Sequence, residues 1–277
     1  MFEIKKKEQL AGDTVLFAVD APDIAENGRP GQFVMVMVNE EGERIPLTIA
    51  DFDPASGTIT IVFKILGKTT GDLGRLKEGD RIFNIAGPLG KPSETGKTGK
   101  IIMVAGGIGI ALIHPIAGAM KKSGNNVTSI IGAQNKDMIF WVDKIKDVSS
   151  EVIVTTDDGS LGKKGFVTGE LKVLLESKEK PGLVFAVGPV VMMKAVADLT
   201  RHYKVKTVVS LNPIMVDGTG MCGSCRVEVG GKTMFACVDG PDFDAHEVDF
   251  SLLSKRQNVY LELEKEAMGS PHKCKCL

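Results

Sequence analysis

The sequence predicts a β plus α/β chain in three parts: an antiparallel β-barrel, a parallel-sheet α/β domain and a small C-terminal cysteine module. Three observations predict it. Short alternating or apolar runs broken by turn residues fill the chain as far as residue 97. From Lys100 the pattern changes to apolar strands alternating with helical stretches. All five cysteines lie after residue 221.

The barrel strands are read at residues 2–8, 14–19, 32–38, 46–51, 58–66 and 80–86, with Pro22, Gly31, Pro54, Gly57 and Gly79 between them. Closely spaced strands of this kind close best as an antiparallel barrel. Residues 71–77 read as its single helix. In the second part, residues 101–104, 127–131, 152–155, 183–187 and 207–211 read as buried strands, and residues 110–121, 139–146, 169–177 and 190–202 as helices. That alternation predicts a parallel sheet with helices on both faces.

Composition narrows the functional classes. The chain has 277 residues, 43% hydrophobic and 25% charged, ordinary values for a globular protein. The net charge of −1 and the lack of a basic block give no sign of nucleic acid or an anionic membrane as partner. Met1-Phe2-Glu3-Ile4-Lys5 has no apolar signal core, so the expected location is cytoplasmic. Residues 101–120 carry only His114 as a strongly polar side chain, and hydropathy alone would make them a membrane span. Gly106, Gly107, Gly109 and Pro115 within that stretch favour a strand, a turn and a buried helix start instead.

Ala105-Gly106-Gly107-Ile108-Gly109 follows a predicted strand and opens a predicted helix. Glycines there let a pyrophosphate approach the backbone and the positive end of the helix. A tight packing turn is the alternative. Gly188-Pro189 forms a second loop at the same sheet edge, where such sheets bind ligands. In the barrel, Arg44-Ile45-Pro46-Leu47-Thr48 and Gly67-Lys68-Thr69-Thr70 each pair a cation with hydroxyls that could hold a flavin pyrophosphate; plain surface loops are the alternative.

The stretch Asp217-Gly218-Thr219-Gly220-Met221-Cys222-Gly223-Ser224-Cys225, followed by Cys237, has the Asp-x4-Cys-x2-Cys spacing of a plant-type [2Fe–2S] loop with Asp in the first ligand position. Residues 226–229 and 232–237 read as a hairpin on a Gly230-Gly231 turn that brings Cys237 back. A zinc site on Asp217, Cys222, Cys225 and Cys237 is one alternative. Inert buried thiols are another, though a glycine-rich loop is expected to bury thiols poorly. For Asp217 the alternative is a plain Asp-Gly turn. His272, Cys274 and Cys276 read as a solvated tail.

Together these pieces resemble the electron-transfer subunits of the ferredoxin–NADP reductase superfamily. The residues that carry the resemblance are Gly31-Gln32-Phe33, Pro46-Leu47-Thr48, Gly67 to Thr70, Gly87-Pro88-Leu89-Gly90, Gly106 to Gly109, Gly188-Pro189 with Met192-Met193, and the cysteine loop. Two groups are similar across nearly the whole chain. One is the small subunits of NADH-dependent ferredoxin:NADP oxidoreductase, also known as sulfide dehydrogenase beta subunits. The other is the electron-transfer subunits of class 1B dihydroorotate dehydrogenase.

The resemblance implies an FAD-binding β-barrel at residues 1–98, an NAD-binding α/β domain at 99–211 and a [2Fe–2S] module with tail at 212–277. It implies FAD on Arg44, Pro46, Leu47, Thr48, Gly67, Thr69 and Thr70, NAD(H) on Gly106, Gly107, Gly109, Gly188 and Pro189, and the cluster on Asp217, Cys222, Cys225 and Cys237. Leu47 replaces the superfamily's aromatic, Ile45 stands where Arg is expected with Arg44 one place early, and Leu112 stands where Pro is frequent. Asp217 as first ligand resembles the ferredoxin:NADP oxidoreductase group, while dihydroorotate-linked subunits carry four cysteines. The implied activity is electron transfer between NAD(H), FAD and the cluster to a larger flavin or iron–sulfur subunit, in a bifurcating enzyme. The dihydroorotate- or sulfide-linked enzymes, and remotely a non-catalytic metal-binding module, are the alternatives. After the second α/β strand, Gly132-Ala133-Gln134-Asn135-Lys136-Asp137 holds no Arg for a 2′-phosphate, which predicts NADH over NADPH.

Overall fold

The computed structural model describes residues 1–269; the His272, Cys274 and Cys276 tail lies outside the described residues. The first part runs β1 (Phe2–Ala11), β2 (Thr14–Asp20), α1 (Pro22–Asn27), β3 (Phe33–Met37), β4 (Arg44–Asp53), β5 (Thr58–Lys64), α2 (Lys68–Arg75), β6 (Arg81–Ile82) and β7 (Asn84–Leu89). Its seven strands are ordered β6-β1-β2-β5-β4-β3-β7, all antiparallel. β6 and β7 stand at opposite edges, yet only Phe83 separates them in the chain. The sheet therefore curls until its edges meet, giving a nearly closed barrel. Val15, Phe17, Val19, Val34, Val36, Ile59 and Ile61 fill the inside at the period of two that strands impose.

The second part runs β8 (Lys100–Gly106), α3 (Gly109–Lys122), β9 (Asn126–Ala133), α4 (Val142–Val148), β10 (Glu151–Thr156), β11 (Lys163–Lys164), α5 (Val167–Leu175), β12 (Leu183–Val187), α6 (Val190–Tyr203) and β13 (Thr207–Ser210). After it come β14 (Arg226–Val229), β15 (Lys232–Phe235), β16 (Asp242–Asp244), α7 (Phe250–Gln257) and α8 (Leu261–Gly269). The sheet order is β11-β10-β9-β8-β12-β13-β16, parallel except for β16, which runs antiparallel to β13. Along β8, Ile101, Met103 and Ala105 face α3, while Ile102 and Val104 face α5 and α6. The sheet is thus covered on both faces, as its apolar strands require.

Two helices begin three residues away from where the sequence predicts. α2 starts at Lys68 because the Thr70 hydroxyl accepts the Leu66 and Gly67 N–H groups, each at 3.0 Å, and caps the helix early. α4 starts only at Val142, since Trp141 sits at φ +56° and a short 3₁₀ turn occupies Lys136–Met138. The membrane-like stretch 101–120 divides into β8, a glycine turn and α3, and among the described residues no helix is long and apolar enough to cross a membrane.

Candidate functional site

The sheet order reverses at β8: β9 and β10 lie on one side, β12 and β13 on the other. The carboxyl ends of β8 and β12 are therefore the switch point where a sheet of this type leaves a crevice. A cleft of about 940 Å³ opens there, between the sheet edge and the barrel. Gly106, Gly107, Gly109, Gly188 and Pro189 line it from the sheet, and Pro46, Leu47, Thr48 and Thr70 from the barrel. Both glycine loops lie at one sheet edge, and the Pro46-Leu47-Thr48 strand meets them in one cavity.

Local geometry explains the glycines. Gly107 has φ +55° and its N–H donates to the Gly132 carbonyl at 2.9 Å, which turns the chain into α3. A Cβ on Gly109 would lie 2.5 Å from the Val187 carbonyl oxygen, so only glycine lets α3 start against β12. A Cβ on Gly106 would lie 2.6 Å from Met192 Sδ, and one on Gly188 would lie 3.1 Å from the Gly106 Cα, so the two loops abut. Ile110 and Ala111 of α3 and Met192 and Met193 of α6 already donate to the turns before them, so only the N–H groups ahead of these open the helices towards an anion.

Arg44, Gly67 and Thr69 are not brought to the cleft wall. Arg44 stands exposed at the start of β4, opposite Met37. The Thr70 hydroxyl is committed to the α2 cap, and also donates to the Gly67 carbonyl at 3.2 Å. Among the described residues the one cation on the cleft wall is Lys64, whose Nζ lies 3.5 Å from Asp13. The one carboxylate there, among the same residues, is Asp157, after β10, and the exposed ring of Phe166 stands before α5 on the same side. Sequence reasoning missed all three. Phe166 alone left a signal, a large apolar side chain beside glycine.

Residues 217–237 form the second half of the site. Gly218, Gly220 and Gly223 have φ between +66° and +87° and curl the loop. Asp217 accepts the Thr219 N–H at 2.7 Å through Oδ1 and the Cys222 N–H at 2.8 Å through Oδ2. These bonds, that from Thr219 foremost, hold its carboxyl below the usual range. Cys222 is exposed, and the Ser224 hydroxyl at 3.1 Å lowers its thiol pKa. Cys225 and Cys237 are buried with their sulfurs 3.2 Å apart, and burial pushes Cys237 up to about 12. The expectation that this loop buries its thiols poorly thus holds for Cys222 only: the β14–β15 hairpin, on positive-φ Gly230 and Gly231, folds over the other two.

Among the described residues no three His, Cys, Asp or Glu side chains close to the spacing of a single ion. A two-iron cluster spreads its ligands over a wider frame. The donor set suits one: two adjacent shielded sulfurs, a third at the loop tip, the Gly220 N–H directed at the Cys237 sulfur, and a carboxylate on the same loop.

Behind the cleft, Asp242 joins three segments. Its Oδ2 accepts a short hydrogen bond from Ser93 ahead of β8, and Ser210 of β13 also donates to it. Its Oδ1 is shut off from solvent without a partner. Burial raises its pKa to about 6, with the nearby Glu94 adding to the effect. The folded value lies above the ordinary one, so the stabilisation belongs to the protonated form: it is complete below about pH 4 and lost as pH rises through 6. The swing is about 2–3 kcal/mol. Thermal melts of Asp242→Asn are expected to lose this slope between pH 4 and 6 and to exceed the unsubstituted protein at pH above 7; an unchanged slope would place the titration elsewhere.

A curled barrel joined to a switch-point α/β domain, with a cysteine loop folded against both, defines a flavin- and nicotinamide-dependent iron–sulfur electron-transfer protein. Comparison with known proteins agrees. Residues 212–249 match the iron–sulfur cluster binding domain of dihydroorotate dehydrogenase B. The chain is 49% identical to the dihydroorotate dehydrogenase B (NAD(+)) electron transfer subunit homolog of Thermotoga maritima, over 95% of this chain and 93% of that protein. The solved structure of NADH-dependent reduced ferredoxin–NADP oxidoreductase, studied for flavin-based electron bifurcation, matches with TM-score 0.92 and 48% identity over 96% of each chain. Ferredoxin–NADP⁺ reductase from Plasmodium falciparum, 14% identical with TM-score 0.58 over 72% of this chain and 88% of that one, shares the fold alone.

The chain belongs to the family of dihydroorotate dehydrogenase B electron-transfer subunits. It is an oxidoreductase subunit whose cofactors are FAD, NAD(H) and an iron–sulfur cluster.

Proposed function

We propose that this chain is the NADH-oxidising small subunit of a cytoplasmic, bifurcating NADH-dependent ferredoxin:NADP oxidoreductase. The observation that carries it is the common cleft of the Gly106–Gly109 turn, the Gly188-Pro189 loop and the Pro46-Leu47-Thr48 strand, with the cysteine loop packed on Met35 of the neighbouring strand β3 and Leu89 of β7. In this reading residues 1–98 hold FAD, 99–211 hold NAD(H) and 212–277 hold the cluster. FAD lies on Pro46, Leu47 and Thr48, with Thr70 at the cleft wall beside its phosphates, while Gly67 and Thr69 stand just off that wall and Arg44 at the outer end of the same strand. Such a flavin accepts a hydride as two electrons and releases them singly.

The chain's own residues place the nucleotide. The α3 N-terminus at Gly107 to Gly109 takes the pyrophosphate. The cysteine loop stands on the β12–β13 side of the cleft, so the nicotinamide end points there and the adenosine end lies over β9 and β10. Asp157 then faces the adenosine ribose, where a carboxylate accepts hydroxyls and repels a 2′-phosphate. Steady-state rates are expected to favour NADH, and Asp157→Asn to narrow the NADH to NADPH ratio; NADPH preferred by the unsubstituted protein would defeat this placement.

Asp217, Cys222, Cys225 and Cys237 hold the cluster. Met221 beside Cys222 is 87% exposed, an apolar tip at which a larger flavin or iron–sulfur subunit docks. Asp217 separates this reading from the second one, an electron-transfer subunit of dihydroorotate dehydrogenase, which the matching family model favours. Asp217→Cys is expected to keep a cluster with an altered reduced-state EPR spectrum and potential, because sulfur donates more to iron than oxygen does. Asp217→Ala is expected to weaken cluster retention. Wild-type spectra and iron content in both variants would make Asp217 a turn residue. Purifying the native complex and identifying its second chain tests the assignment as a whole: a dihydroorotate-oxidising partner would replace it with the second reading.

A further inference from the structure

The side chains between the cleft and the cysteine loop form one buried layer. β3 alternates, with Val34 and Val36 inside the barrel and Phe33 and Met35 on the opposite side, in the core that also holds Met215, Cys225 and Cys237. Strand pairing sets Phe33 opposite Thr48 and Met35 opposite Pro46. Paired residues share a face, so the layer begins beside the strand that lines the cleft, with Phe33 itself on the cleft wall. It ends on Gly218. A Cβ on Gly218 would lie 2.5 Å from Met35 Cγ and 3.0 Å from both Met35 Sδ and Leu89 Cδ1. Asp217 ties the next turn together through the Thr219 and Cys222 N–H groups, so whatever seats Gly218 also seats Cys222.

Resting on the function proposed above, we propose that the contact of Gly218 with Met35 and Leu89 is a spacer that sets how closely the cysteine loop approaches the flavin side of the barrel. Gly218 is a positioning residue. With both cofactors bound as proposed, one electron would pass from the reduced flavin to one ferric iron of the cluster, which would become ferrous. No bond forms between the two groups, so the width and packing of the protein layer between them control the rate. A side chain at 218 must displace either Met35 or the loop. Met35 is 1% exposed and packed on both sides, whereas the loop tip is exposed, so the loop is what lifts.

The test uses the full chain with its cofactors and partner as purified. Anaerobic mixing with NADH follows flavin bleaching and, by freeze-quench EPR, cluster reduction; amide exchange of residues 217–225 is measured on the resting protein. Gly218→Ala is expected to leave flavin bleaching unchanged, slow cluster reduction several-fold and speed exchange in the loop. Adding Met35→Ala, which removes the atoms that the new methyl meets, is expected to restore both. Restoration matters because Gly218 has φ +77°, and backbone strain alone would not respond to Met35. Leu89→Phe pushes on Gly218 from the barrel side without changing the loop's own sequence or its φ demand and is expected to give the same split, which keeps the test decisive if Gly218→Ala does not fold. Cluster reduction as fast in Gly218→Ala and Leu89→Phe as in the parent overturns the spacer. So does slowing that Met35→Ala fails to relieve. A parent chain that takes up no cluster overturns the functional reading instead.

Discussion

Replacing Cys237 with serine is expected to strip the iron–sulfur cluster from the chain while leaving FAD bound. Cys237 is buried, its sulfur is 3.2 Å from that of Cys225, and burial holds its thiol near 12. In the metal-free protein it is neutral, and iron binding has to displace its proton. A serine hydroxyl holds its proton more tightly in the same apolar place and offers a harder donor, so it does not replace the thiolate. The barrel has its own core of Val15, Phe17, Val34, Ile59 and neighbouring side chains, separate from the core that contains the cysteines, and does not depend on the loop. Iron and acid-labile sulfide per chain should fall close to zero while the flavin content stays at the parental level. Parental iron content in this variant would remove Cys237 from the ligand set.

The second large effect is expected from Gly109→Ala. The added methyl would stand 2.5 Å from the Val187 carbonyl oxygen, a backbone atom of the central strand β12 that has no rotamer through which to yield. α3 must move away from the sheet, and overpacking of this kind costs about 1–3 kcal/mol. The functional loss is expected to exceed the loss of stability, because in the proposed function the moved N–H groups seat the nucleotide's pyrophosphate, and a displacement near 1 Å can cost about 10²-fold in rate. The measurement is kcat/KM for NADH with an artificial acceptor, beside a thermal melt. A strong fall in kcat/KM with a modest fall in Tm is expected. Full activity would mean that the pyrophosphate lies elsewhere.

Much of the fold was legible because it is local. The barrel strands alternate and end on turn residues, the sheet strands are apolar throughout, and the glycine turn at 106–109 carries its own conformational demand. The cysteine loop and the Gly230-Gly231 hairpin follow from spacing alone. What stayed hidden depends on distant pairing. β16 is three residues long and exists as a strand only because it lies against β13. Lys64 and Asp157 belong to elements far apart in the chain, and only the folded cleft shows that they share it. The Arg44 motif looked like a phosphate clamp, yet Arg44 stands at the outer end of β4, beyond the Pro46-Leu47-Thr48 stretch that lines the cleft. Burial of Cys225 and Cys237 was missed because the loop's glycines say nothing about the hairpin that covers it.

If this one chain carries electrons from NADH through its flavin to a [2Fe–2S] cluster on the 217–237 loop, EPR of the purified protein after anaerobic mixing with NADH detects it. A reduced [2Fe–2S] signal of about one spin per chain is expected, since one electron reduces one such cluster. The signal is also expected to disappear in Cys237→Ser while the flavin still bleaches. A chain whose flavin bleaches fully but which shows no iron–sulfur signal, or a colourless chain that binds zinc, would contradict this route.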